Sequence, residues 1–187
     1  KTLDKHVAMY KKKKEILKLN TKELSDIRAW MLFHILKEIP TRLDYHHMKL
    51  INQRDYNTLK KKNELTDNYL VSSRGSYNFS FNDYKTSKVY GENIVDVNKP
   101  LKLKINLYLK LNDYKVGDVI FPITRNAMSN LLTKTSDKII KKKVSVQILR
   151  KYYVSTKYGG VSQEQVKDAS MMGHSTTVQQ VIYNKSS

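Results

Sequence analysis

Apolar and polar positions recur with two different periods along this chain, and the changes of period mark out its elements. Leu24, Ile27, Met31, His34 and Ile35 follow helical spacing, and Thr21 can cap the helix they define. Pro40 closes it, because the residue ahead of a proline is pushed out of the helical region. Upstream, residues 3–19 read as a weakly amphipathic basic helix, with Lys11 to Lys14 solvated or facing phosphate. Downstream, a further helix is expected to start near Leu43 and run through Met48, Leu50 and Ile51.

From Asn68 to Val97 the pattern turns to strands. Tyr69-Leu70-Val71 makes one short run, and Tyr77, Phe79 and Phe81 alternate with polar residues as a second. Thr86-Ser87 reads as a turn and Val89 to Val97 as a third strand. Pro100 then opens a helix with Leu101, Ile105, Tyr108 and Leu109 on one face. Beyond Phe121-Pro122, helices are expected over 124–134 and 144–158, the second ended by Gly159-Gly160. Ser162 with Gln165, and Thr176 with Gln179, repeat a capping-box pattern ahead of two last helices. Gly173 stops the first of these, and the second carries Tyr183. The pattern predicts an α+β, mainly α, protein with a small antiparallel sheet inserted between its helices. Residues 1–20 form a basic helix or linker and 21–187 the main domain.

Composition narrows the partners. The chain has 187 residues, 40% hydrophobic and 28% charged, which is a globular balance with a core of its own. Lys plus Arg number 35 against 17 Asp plus Glu, a formal net charge of +18. Charge of that size spread along the chain implies a polyanionic partner, and double-stranded DNA stands first. No basic stretch carries a clean apolar face and no run of 18 apolar residues occurs, so no membrane partner is expected. The absence of cysteine excludes disulfides, zinc–thiolate sites and a thiol nucleophile, and fits an intracellular protein. His46-His47 lacks further ligands at useful spacing, so neither a metal nor another cofactor is expected. The chain starts at Lys1 without a Met or a signal peptide, and a missing N-terminal portion is therefore expected.

The candidate chemistry lies in the last third. Arg150 precedes Gly173-His174 by 23 residues, and Tyr183 follows His174 by nine. A tyrosine hydroxyl attacks a phosphodiester only if cations and donors neutralise the charge that builds on the phosphorus oxygens. An Arg, a His and a Tyr on consecutive C-terminal elements supply those groups. Singly, each has a bland explanation: a surface arginine, a helix-end histidine, one of 13 tyrosines. Their order and interval carry the argument.

On these residues the chain resembles the catalytic domain of the tyrosine recombinases, the integrase family of phages and other mobile elements. The family shows an early Arg, a Lys in a β-hairpin, a His-x-x-Arg box, a Gly-His pair and a Tyr nucleophile. The matching positions are Arg42 in Pro40-Thr41-Arg42-Leu43-Asp44-Tyr45, Lys85 in Tyr84-Lys85-Thr86-Ser87-Lys88, then Arg150, His174 and Tyr183. The resemblance covers about residues 20 to 185. The run Pro40 to Leu50 is more similar to recombinases of large eukaryotic DNA viruses and their satellite elements than to bacterial ones.

Two positions depart from the family. Gln147 stands where it usually has His; a neutral amide can hydrogen-bond a phosphate but cannot act as a general base. Tyr45 stands where an acidic residue is usual, and Asp44, one residue away, is expected to orient Arg42 instead. By the resemblance, Arg42 and Arg150 clamp the scissile phosphate, His174 adds a hydrogen bond, and Tyr183 attacks phosphorus to give a 3′-phosphotyrosine. Lys85 protonates the leaving 5′ oxygen, with Lys88 three residues away as its competitor. Lys88, Lys141, Lys142 and Lys143 are assigned to DNA phosphates, as is the run Lys60 to Lys62.

The leading functional expectation is a site-specific recombinase that needs neither metal nor nucleotide. Such a protein forms a homotetramer when synapsed on DNA and can be monomeric alone. Its place is the nucleus or a viral replication compartment in a eukaryotic or viral setting, and the cytoplasm in a bacterial one. A type IB topoisomerase shares the residue set. A basic DNA-binding protein without catalysis is the third reading.

Overall fold

Helix α2 (Thr21–Glu38) buries Ile27, Ala29, Trp30, Met31, Leu32, Ile35 and Leu36. Those positions go all round the helix, and a helix apolar all round belongs at the centre. It packs against four other helices accordingly. The computed structural model describes residues 2–157 and Met171 of the protein. The helices expected after Gly159-Gly160, and with them Gly173, His174 and Tyr183, lie outside the described residues.

The cap of α2 is Asn20, one residue before the expected Thr21. Its side chain accepts from the Glu23 amide at 3.0 Å, and Glu23 Oε2 accepts the Asn20 N–H at 2.9 Å. This closed capping box satisfies two N-terminal donors at once, which Thr21 as the first helical residue could not do. Helix α1 (Thr2–Lys14) lies on α2 through Val7 and Tyr10. Polar pins fasten the joint: Tyr10 OH donates to Asp26 at 2.8 Å and Trp30 Nε1 to Asp4 at 2.9 Å.

The sheet contains β1 (Lys49–Asn52), β2 (Tyr69–Ser73), β3 (Ser76–Phe81) and β4 (Asn93–Asp96) in that spatial order. Strands β2, β3 and β4 are antiparallel, but β1 runs parallel to β2, with Leu50 opposite Leu70 and Ile51 opposite Val71. The sheet is therefore mixed, correcting the purely antiparallel expectation. The helix expected from Leu43 to Ile51 is also absent: a turn is followed by strand β1, and helix α3 (Gln53–Lys61) comes only afterwards.

Long-range pairing decides that outcome. Leu50 is bonded on its free edge by the segment before Pro122, with Gly117 N donating to Leu50 O at 2.8 Å and Leu50 N to Asp118 O at 2.9 Å. That segment covers an edge that would otherwise present unpaired amides. Alternation along the strands then splits the apolar residues between two faces. Leu50, Leu70, Phe79 and Phe81 join the main helical core, while Ile51, Tyr69 and Val71 pack beneath Tyr56 of α3.

A one-turn helix α4 (Ser87–Tyr90) links β3 to β4, where a turn followed by a longer strand was expected. Helix α5 (Lys99–Asn112) starts at the Asn98 cap with Pro100 in its first turn and packs along α2. Helix α6 (Arg125–Ile140), capped by Thr124, runs beyond the expected 134 to a left-handed Lys141, and α7 (Val146–Lys157) follows. Both contact α2. The described residues thus form an α+β fold of seven helices and a four-stranded sheet.

Candidate active site

The turn that carries Arg42 is fastened from beneath by Tyr45. This side chain is fully buried; its hydroxyl donates to Ile39 O at 2.8 Å, and its ring meets Phe79 and Phe81 edge-on, each at 5.3 Å. The position at which the resemblance leads one to expect a carboxylate is thus taken by a core anchor. Thr41 and Leu43, either side of Arg42, are buried while Arg42 is half-buried. Leu43 adopts φ +69°, a left-handed conformation costly for a branched side chain and held here by the packing around it.

Asp44 is 6% exposed, and its Oδ1 accepts from Arg125 Nη2 at 2.9 Å. Burial raises the Asp44 pKa above the usual carboxylate range. The Arg125 charge, the Arg42 backbone N–H and the Arg42 charge oppose that rise. Asp44 is therefore ion-paired to Arg125 and feels the charge of a second arginine, Arg42. Arg125, at the start of α6, was not singled out in the sequence, because nothing local connects positions 44 and 125.

Asn68 was missed as well. It is 4% exposed and uses both ends of its amide. Nδ2 donates to Asp44 O and to Asp83 O, each at 2.8 Å. Oδ1 accepts from Asn82 N and Asp83 N, again at 2.8 Å each. One side chain thereby ties the turn after α2 to the connection leaving β3. That connection carries Lys85, two residues beyond Asp83, and leads into α4 with Lys88. Both lysines are exposed, and the connection is closed behind them by Tyr84 OH donating to Gly91 O at 2.9 Å. In the sequence, Asn68 looks like an ordinary turn residue ahead of a strand.

Arg150 lies on α7 and is 5% exposed, one turn before the fully buried Val154. A solvated surface arginine is thereby excluded; a guanidinium this deep must be held by specific partners. Gln147, one turn earlier, is exposed. Met171, two residues before Gly173, packs against Val154, and its carbonyl accepts from Asn93 Nδ2 of β4 at 3.3 Å. Met171 thus touches both α7 and the sheet. The predicted residues His174 and Tyr183 themselves lie outside the described residues.

The lysines divide into two groups. Lys141, Lys142 and Lys143 are exposed in the α6–α7 connection. Lys60 instead pairs with Glu92 at 2.6 Å, and Glu92 also accepts from Ser80 Oγ at 2.9 Å and from Tyr56 OH. Lys14 caps the C-terminus of α5, donating to Leu111 O at 2.8 Å and meeting Asp113 at 2.5 Å. These two lysines serve the fold. His46 Nδ1 lies 3.0 Å from Leu43 O, a local backbone contact. No helix of the described residues is long and apolar enough to cross a membrane. Compared with known proteins, the chain matches no family model, no curated protein and no solved structure.

Proposed function

We propose that this chain is the catalytic domain of a site-specific DNA recombinase of the tyrosine class, which cleaves and rejoins duplex DNA through a 3′-phosphotyrosine. In this reading Tyr183 is the nucleophile, Arg42, Arg150 and His174 stabilise charge on the phosphoryl oxygens, and Lys85 protonates the leaving 5′ oxygen. Gln147 contributes a neutral hydrogen bond in place of an imidazole. Exposed Lys88, Lys141, Lys142 and Lys143 supply salt-dependent contacts to backbone phosphates.

The observation that carries the reading is the burial of Arg150, which precedes the Gly-His pair and the Tyr at the sequence intervals the resemblance expects. A buried guanidinium held in place suits a preorganised phosphate clamp better than a solvated, freely rotating surface arginine does. The coupling of the Arg42 turn to the Lys85 connection adds support, because both would have to meet one phosphate. A type IB topoisomerase would use the same groups without synapsis.

The test is a library of nicked duplexes with a randomised 20-bp core, incubated with the protein and resolved under denaturing conditions. The expected result is a covalent protein–DNA band enriched in particular sequences and abolished in Tyr183→Phe. Strand exchange between two captured sites then separates a recombinase from a topoisomerase. Salt-sensitive binding without any covalent band would leave only a DNA-binding protein.

A further inference from the structure

We infer that Asn68 is a positioning residue for the leaving-group proton donor: it sets the Lys85 connection against the Arg42 turn. The inference rests on the proposed reaction and adds to it a residue that never meets DNA. The geometry is specific. Four hydrogen bonds of 2.8 Å saturate a buried amide, and their partners are Asp44 on one side and Asn82 and Asp83 on the other. Asp44 is two residues from Arg42, and Asp83 two residues from Lys85. Lys85 itself is exposed at the end of a long flexible side chain, so its reach is governed by where its backbone is held.

No other amino acid keeps this arrangement. The site needs two donors for two carbonyls and two acceptor lone pairs for two amides, from one planar group. Asp keeps the acceptors but loses both donors. Ala loses all four contacts and leaves buried backbone groups unpaired. In either case the Lys85 connection loses its tie to the Asp44 turn, while the arginines keep their own supports in α7 and in the packing of Tyr45.

The step affected is departure of the 5′ oxygen. As the bond from Tyr183 Oη to phosphorus forms, the P–O5′ bond breaks and O5′ takes a proton from Lys85 Nζ. The phenolic proton is lost to solvent, and the lysine amine regains one from solvent. If sulfur replaces the bridging 5′ oxygen, the P–S bond breaks and the thiolate leaves without a proton, being a much weaker base than an alkoxide.

The experiment compares cleavage of a captured duplex carrying 5′-bridging oxygen with the same duplex carrying sulfur. Wild type, Asn68→Ala, Asn68→Asp and Lys85→Ala are each measured on both. General-acid catalysis contributes on the order of 10²–10⁴-fold, so both Asn68 variants should lose about 10²-fold or more on oxygen. On sulfur they should recover to within a few-fold of wild type, as should Lys85→Ala. The sulfur-to-oxygen ratio is internal to each variant, so a reduced folded fraction cancels from it. An unchanged ratio in both Asn68 variants overturns the inference and leaves the proposed reaction standing. Absence of a covalent complex from wild type on either duplex overturns the reaction itself.

Discussion

Arg125, the first residue of α6, donates to the buried carboxylate of Asp44 at 2.9 Å across 81 positions of sequence. The bond locks the turn that carries Arg42 to a helix laid down much later in the chain. Removing one partner of such a pair strands the other in a poorly solvated site. The Arg125 side chain is 44% exposed, so Arg125→Ala should cost about 1–2 kcal/mol, less than the loss of a fully buried pair. The double variant with Asp44→Asn should recover most of that cost. The pH sign follows from the raised Asp44 pKa. Without Arg125 it rises further, the folded state binds the proton more tightly, and the deficit of Arg125→Ala should shrink as pH falls. Urea melts at pH 7 and pH 5 check this, and a deficit that grows on acidification would contradict it.

Tyr45 gives a sharper test, at the position where the proposed recombinase reading expects a carboxylate. Introducing an acidic residue with Tyr45→Glu should not create an ion pair with Arg42. It should place a carboxylate among Phe79 and Phe81 with no room for hydration, at a cost of several kcal/mol, roughly enough to unfold the domain. Tyr45→Phe keeps the ring and removes one of two bonds to the Ile39 carbonyl, which still accepts from Thr41 N at 2.9 Å, for about 1 kcal/mol. Thermal melts of the two variants should therefore differ widely.

The joint between α1 and α2 should loosen in acid. The Trp30 indole N–H, bonded to Asp4, holds that carboxyl below its usual range, assisted by His34. Its contribution is present above an unfolded pKa of about 3.9 and is lost as pH falls through the folded value. Burial lowers the His34 pKa, opposed only in part by Asp4, which lies 3.1 Å away. Protonation below about 6.5 therefore also works against the folded joint. Trp30 is the one tryptophan in the chain, so emission excited at the red edge of the indole band, beyond tyrosine absorption, reports this site alone. Urea stability, read through Trp30 emission, should fall as pH drops below about 6.5 and again below about 4, with the second fall reduced in Asp4→Asn. A flat titration would contradict the assignment.

The two kinds of lysine should separate cleanly. Replacing Lys141, Lys142 and Lys143 with Gln should lower the slope of log affinity against log salt by about one for each lost phosphate contact. Folding stability should change by less than about 0.5 kcal/mol. Lys14→Met should do the opposite, removing about 0.5–1 kcal/mol of stability through the α5 C-terminus and leaving the slope alone. Filter binding over a salt series, paired with melts, measures both.

What the sequence made legible was whatever local chemistry decides. Helices α2 and α5 are visible through periodicity and proline, and β3 through strict alternation of Tyr77, Phe79 and Phe81. Strand β1 was not visible, because Met48, Leu50 and Ile51 suit a helix equally well. Only pairing with β2 and with the 117–121 segment makes them extended. The same division holds at the candidate site. Arg42, Lys85 and Arg150 stand out by motif and interval. Arg125 and Asn68 act through contacts to distant backbone or to a distant carboxylate, and neither has a local signature. Lys14 and Lys60 were misread for a related reason: a charge run looks solvated until its acceptors on other elements are known.

The central claim is that Tyr183 becomes covalently joined to a DNA 3′ phosphate, and peptide mapping tests it most directly. The captured complex would be digested with protease and nuclease and the residual nucleotide located by mass spectrometry. The account predicts a single modified tyrosine, Tyr183, bearing a 3′-linked nucleotide, and no modification in Tyr183→Phe. A nucleotide on any other residue, or on none, would contradict it.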